Sequence, residues 1–193
     1  MKLDDIYIVL CRPDESRNIG STCRAMANMG MKNLRIVGKK ADYDEEKVKT
    51  LAIHAFSIWE NAVFFDSIEE ATKDCYVSAG TTRRRGKKRK EWLLTPDEFS
   101  TKVNDIENGK VAVIFGNERT GLTDEELECC TLGVKIPTDE EFGSLNLSHA
   151  VQIICYELYK HLKVPTLTGY TPITLERLSK TVTSLTDDLK KVG

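Results

Sequence analysis

The sequence predicts an α/β fold, a mostly parallel sheet with flanking helices. Three observations carry that expectation. Short apolar, β-branched-rich runs alternate with helical stretches along the chain. The first run, "IYIVL" at 6–10, is continuously apolar, as a strand covered on both faces must be. At 193 residues the chain is long enough for one full core and a short appendage.

The elements follow in order. After the 6–10 strand comes the loop "CRPDESRN". Next is the helix "IGSTCRAMANMG", with Gly30 placed to end it at C′ and Asn18 placed to cap its start. "NLRIVG" (33–38) reads as a second strand, and "EEKVKTLAIHAFSIWENA" as one or two helices. "VFFDS" opens another strand–helix unit, with "SIEEATKD" as its helix. "CYVSAGTT" (75–82) is a strand running into a loop, "PDEFSTKVNDI" a helix, and "KVAVIFGN" (110–117) a strand. "TDEELECC" begins with Thr123 and Glu126 at capping-box spacing, and "GVKIPT" is a short strand.

The last helix of this body follows "FGSLN". Leu147, Val151, Ile154 and Leu158 recur at helical spacing and predict one buried stripe. Ser144, Asn146 and Ser148 crowd its start, after a Gly143 free to take positive φ. Capping explains one of these polar residues; a ligand at the helix N-terminus would use more. The body is expected to span 1–163. Residues 164–193 read as a Pro/Thr-rich linker and one amphipathic helix, with Ile173, Leu175, Leu178, Val182 and Leu185 on its apolar side. That stripe needs a partner, or a further helix of a longer extension.

Composition narrows the function classes. Net charge is −2, so the chain as a whole is no polycation and any nucleic-acid footprint must be local. Cys11, Cys23, Cys75, Cys129, Cys130 and Cys155 form no C-x-x-C pair, which argues against a zinc site. Most lie in apolar stretches, as buried reduced thiols of a cytoplasmic protein would. No apolar run reaches membrane-spanning length, and "MKLDDIYIVL" reads as a first strand rather than a signal peptide. His54, His149 and His161 show no metal spacing, so no metal is expected.

In parallel sheets ligands bind beyond the carboxyl ends of strands. The informative loops are therefore those after Leu10, Ala79, Phe115 and Ile136. In "FGNERTGL", Gly116 and Gly121 have P-loop separation, but Leu122 stands where lysine is required, and no G-x-G-x-x-G occurs elsewhere. Glu118 and Arg119 sit at the end of that strand. "TTRRRGKKRKEW" holds seven basic residues within eight positions, 83–90, leaving the end of another strand. A lone charge run is usually a solvated loop or a signal. At a site it makes phosphate-backbone contacts, and Arg84, Arg85, Lys87 and Lys88 are the candidates. Asp139, Glu140 and Glu141 read as a solvated acidic loop. Arg24, six residues beyond Asn18, reads on spacing alone as a surface arginine.

Three segments taken together, "NIGSTCRAMANMG", "VAVIFGNERTGL" and "IPTDEEFGSLNLSHAVQIICYEL", resemble the three motifs of the SPOUT superfamily of RNA methyltransferases. The similarity is to the SpoU/TrmH-type ribose 2′-O-methyltransferases, and within them to the TrmJ branch. It covers residues 5–162. The resemblance implies a trefoil knot in the C-terminal half, a homodimer, and S-adenosylmethionine as cofactor. It also implies an RNA substrate, most simply tRNA methylated at the start of the anticodon loop. By the same resemblance, Thr81, Thr82, Gly116, Ile136, Ser144, Leu145 and Asn146 hold the cofactor, Arg24 is catalytic and Asn18 places it. An rRNA substrate, or a non-catalytic RNA-binding SPOUT protein, stands as the alternative. The chain departs from the branch in its short C-terminal extension and in the basicity of 83–90.

Overall fold

The computed structural model describes residues 1–83, 93–163 and 174–192. Arg84, Arg85, Lys87 and Lys88, with Trp92 and Ile173, lie outside the described residues. Seven strands form one sheet: β1 (Ile6–Cys11), β2 (Asn33–Val37), β3 (Val63–Phe65), β4 (Val77–Thr81), β5 (Leu93–Leu94), β6 (Val111–Phe115) and β7 (Leu132–Val134). Their order is β3-β2-β1-β6-β4-β7-β5, and every pairing is parallel. The expected α/β class is the observed one. The short edge strand β5 carries no periodic signal in two residues, and the sequence pattern does not reveal it.

The helices are α1 (Ser16–Asn28), α2 (Glu45–Ala52), α3 (Phe56–Glu60), α4 (Ile68–Thr72), α5 (Pro96–Asn104), α6 (Asp124–Glu128), α7 (Leu147–Lys163) and α8 (Leu175–Val192). Leu147, Val151, Ile154 and Leu158 are buried, so the α7 stripe is a core face. Full burial of each such side chain stabilises the fold by about 1.5–3 kcal/mol. α1 presses on α2 at Gly20, where a Cβ would lie 2.2 Å from the Val48 carbonyl oxygen. Gly30, at φ 68°, ends α1 as expected. The Thr123–Glu126 capping box forms, with both reciprocal hydrogen bonds present.

Two expectations need correction, and a third holds for most of its residues. α1 begins at Ser16, so Asn18 lies inside its first turn and does not cap it. Gly143 is absent from the positive-φ glycines, which are Gly30, Gly38, Gly109 and Gly121. It is glycine for space: a Cβ would sit 2.6 Å from the Asp139 carbonyl oxygen. Among the thiols, Cys129 is exposed and donates to Glu69 at 2.9 Å, while Cys11, Cys23, Cys130 and Cys155 are buried. Burial pushes the Cys11, Cys23 and Cys155 thiols up to about 12, so these three are inert near neutrality. Among the described residues no helix is long and apolar enough to cross a membrane.

The sheet order positions the site. The chain builds outward from β1 through β2 to β3 and then crosses to β4. β6 later fills the place between β1 and β4. Leu10 pairs with Phe115, Gly80 with Ile114 and Thr81 with Val134, so four strands end at one level. Their four following loops converge beyond that edge, at the reversal of strand order where open α/β sheets bind ligands.

Candidate active site

A cleft of about 170 Å³ opens at this edge. Its floor is Phe115, Leu122, Val134 and Leu147, and its walls come from the loops after β4, β6 and β7. Thr81, Thr82, Gly116, Ile136, Ser144 and Leu145, six of the seven residues expected to hold the cofactor, line it. Gly116 allows the tightest approach. A Cβ there would fall 2.1 Å from both the Gly121 carbonyl carbon and the Leu122 nitrogen, so only glycine fits beneath the returning loop. Gly121, at φ 69°, makes that return, and its N–H donates to the Asn117 carbonyl at 2.7 Å.

Asn146, the seventh residue, does not line the cleft. It is the N-terminal cap of α7: its Oδ1 accepts from the Ser148 N–H at 2.9 Å and the Ser148 hydroxyl at 2.8 Å. Its Nδ2 donates to Asn18 Oδ1 at 3.0 Å. Asn18 Nδ2 in turn donates to Glu118 Oε1 at 2.8 Å. The Glu118 carboxylate also accepts from the Asp14 N–H at 2.7 Å and the Glu15 N–H at 3.4 Å. An acceptor-only carboxylate thus sits against the start of α1, where donors and the helix dipole favour it. Glu118–Asn18–Asn146–Ser148 ties the first turn of α1, the loop after β6 and the start of α7 into one frame.

Spacing places Glu118 at a strand's end but does not reveal this role, because its partners lie about a hundred residues away. The signal available was its position after a buried strand. Arg83 is the second addition: it lines the cleft and is the described member of the basic run. Arg119 lines the rim and pairs with Asp14 at 2.6 Å.

Arg24 does not line the cleft. It is exposed on α1, and its side chain makes no hydrogen bond or ion pair among the described residues. Neutral amides place Asn18 beside the cleft, whereas Arg24 is carried two turns along α1, facing outward.

Away from the cleft, Asp97, Glu157 and His161 bring donor atoms within 4.8 Å of one another. Sequence spacing missed this group because Asp97 comes from α5. Lys160 Nζ lies 2.5 Å from Glu157 and 3.3 Å from Asp97, so an ammonium already supplies the cation between those carboxylates.

A cleft walled by Leu145 and Ile136, edged by threonine and serine hydroxyls and closed by a glycine that admits no Cβ, suits a flat heterocycle with a polar tail. Residues 5–156 match the model of the SpoU rRNA Methylase family. Over 156 residues the chain is 40% identical to the tRNA (cytidine-2′-O-)-methyltransferase TrmJ of Methanocaldococcus jannaschii, covering 80% of this chain and 67% of that protein. It is 42% identical over 159 residues to the tRNA (cytidine/uridine/adenosine-2′-O-)-methyltransferase TrmJ of Pseudomonas aeruginosa, covering 81% and 61%. The match thus spans only about two thirds of these relatives' own length. A probable methylase family protein from Haemophilus influenzae superposes with a TM-score of 0.79 at 38% identity, over 93% of this chain and 76% of that one. The motif loops that converge on the cleft fall inside the matched residues, and the chain belongs to the SpoU rRNA Methylase family.

Proposed function

We propose that this chain is an S-adenosylmethionine-dependent RNA ribose 2′-O-methyltransferase, with tRNA as its substrate. The observation that carries the reading is the cleft itself, built from the loops after β4, β6 and β7 at the carboxyl edge of a family sheet, two of which carry motif segments. The relatives named as tRNA 2′-O-methyltransferases support tRNA. The family's own description favours rRNA as the second reading.

The residues present fit the cofactor. Leu145 and Ile136 would cover an adenine, Thr82 and Ser144 bring hydroxyls to its ribose and amino-acid ends, and Thr81, whose hydroxyl donates to the Ile114 carbonyl at 2.9 Å, can accept from them. Gly116 leaves room for close backbone approach. When bound, the cofactor would supply an electrophilic methyl group: the 2′-oxygen would bond the methyl carbon in line as the C–S bond breaks, S-adenosylhomocysteine would leave, and the hydroxyl proton would pass to solvent. The chain's part is positioning, which provides up to ~7–11 kcal/mol of such a barrier. The Glu118–Asn18–Asn146 frame fixes the loops against one another. Arg24 acts as a planar fork that holds the target phosphate and steadies the developing alkoxide. Residues Arg84, Arg85, Lys87 and Lys88 hold the RNA backbone in this reading, supported by their charge on a chain of net −2.

The reading includes a homodimer in which Arg24 serves the partner's cleft. It is supported by the exposure of Arg24 away from its own cleft and by the exposed Val182, Leu185 and Leu189 on α8. It includes the trefoil knot, supported by the insertion of β6 between β1 and β4. It keeps 1–163 as the methyltransferase domain and 164–193 as an appended linker and helix, in a cytoplasmic protein. The test is transfer of labelled methyl to tRNA and rRNA transcripts, followed by mapping of ribose methylation. Label at one 2′-oxygen of tRNA is expected. Label on rRNA alone favours the second reading, and none on either refutes both.

A further inference from the structure

The loop 138–143 carries a feature that the reaction has not yet used. Phe142 is 89% exposed, a large apolar ring left in water at the rim of the cleft. The loop that presents it is braced. Asp139 Oδ1 accepts from the Glu141 N–H at 2.9 Å and the Phe142 N–H at 3.1 Å, and the Thr138 hydroxyl donates to the Gly143 carbonyl at 3.1 Å. The next two residues, Gly143 and Ser144, already line the cleft. Arg83 also approaches Gly143: its Cδ is 3.5 Å from where a Cβ on Gly143 would stand. An exposed aromatic ring and an arginine therefore both neighbour one glycine at the mouth of the site.

From this juxtaposition, and resting on the reading above, we propose that Phe142 is the platform on which a base of the RNA substrate stacks, with Arg83 taking an adjoining phosphate. A ribose delivered to the cleft necessarily brings its base to the rim. Single-stranded bases are recognised by stacking on aromatic rings, and the stack tolerates any base because each has a π-face. Glu140 and Glu141, both exposed, repel phosphate on the Phe142 side. The ring is thus open to a splayed-out base rather than to a duplex backbone. A second protomer covering the ring is the competing occupant, and a change of sedimentation in the alanine variant would reveal it.

Three variants test the proposal on a tRNA transcript that the wild-type chain methylates. Phe142→Ala is expected to lower kcat/KM for RNA by about 5- to 150-fold, the equivalent of the ~1–3 kcal/mol of one stacked base. Its affinity for S-adenosylhomocysteine should be unchanged. Phe142→Leu, apolar without a π-face, should lose most of the activity, and Phe142→Trp should keep it. The new tryptophan's emission should be quenched by a single-stranded RNA oligonucleotide, relative to wild type. Alanine at wild-type speed, leucine at wild-type speed, or an alanine variant that loses cofactor affinity or changes sedimentation would each overturn the platform. If wild type methylates no RNA, the reading beneath has failed, and the emission arm still decides: no quenching by the oligonucleotide overturns the platform as well.

Discussion

Two polar clusters in this molecule are built on opposite plans. In one, Arg35 of β2 is buried and fully engaged. Its Nη1 donates to the Ala71 carbonyl and to Asp74 Oδ1, each at 2.6 Å, and its Nη2 donates to Asp74 Oδ2 at 2.9 Å. The guanidinium lies 3.9 Å from the centre of the Tyr7 ring, and Lys110 Nζ completes Asp74 at 2.7 Å. In the other, Glu118 meets only N–H donors among the described residues, and its connection to α7 runs through two neutral amides, Asn18 and Asn146. The first cluster spends charge on closing itself. The second fixes three loops with uncharged groups and leaves a lined cleft beside them. A buried charge without its partner is costly, so the closed cluster should govern stability; the open one should govern chemistry.

Substitutions separate the two. Asp74→Ala leaves the buried Arg35 guanidinium without its main partner and should destabilise the fold by about 3–5 kcal/mol, read by chemical denaturation, with activity per folded molecule preserved. Arg24→Ala should do the reverse. Methyl transfer should fall by about 10²–10³-fold, the loss seen when one transition-state donor is removed, while the denaturation midpoint and S-adenosylhomocysteine affinity hold. Arg24→Lys should fail nearly as badly, because lysine lacks the fork. Single-turnover rates decide, and a lysine variant near wild-type speed would leave only a charge requirement.

Glu118→Gln sits between these extremes. It puts an amide among donors and should cost about 1–2 kcal/mol of stability while also slowing methyl transfer, because α1 and α7 lose their common anchor. A variant that changes stability alone would reduce Glu118 to a cap. The smallest effect is in pH. The hydrogen bond from Arg35, then that from Lys110, holds the Asp74 carboxyl well below the usual carboxylate range. A depressed folded value adds stability at pH values above the ordinary aspartate range, and that stability is lost as pH falls below it. The stability gap between wild type and Asp74→Asn should therefore narrow between about pH 4 and pH 2. A constant gap would mean that the pair contributes through shape rather than charge.

Much of the fold is legible in the sequence because its signals are local. The continuous run at 6–10 reads as a central strand, the α7 stripe as a core face, and Thr123 with Glu126 as a capping box. What is missed depends on distant chain. β5 exists because β7 offers it an edge. Gly143 is glycine because Asp139 folds back over it, and Asn18 does not cap because α1 starts earlier, beside Glu118. The cleft-lining residues Gly116, Ile136, Ser144 and Leu145 were named from family resemblance, since spacing alone gave only a Gly-rich turn and a capped helix. Nothing in the spacing sets Glu118 beside Asn18.

The central claim is that the open cleft holds the adenosyl cofactor. Calorimetric titration of S-adenosylhomocysteine into the wild-type chain and into Leu145→Asp tests it most directly. Leu145 is on the exposed wall of the cleft, so the variant should keep the fold and its melting temperature. Saturable one-site binding to wild type is expected, with affinity at least tenfold weaker in Leu145→Asp. No heat with wild type, or equal affinity in a folded Leu145→Asp, would contradict the assignment of the cleft.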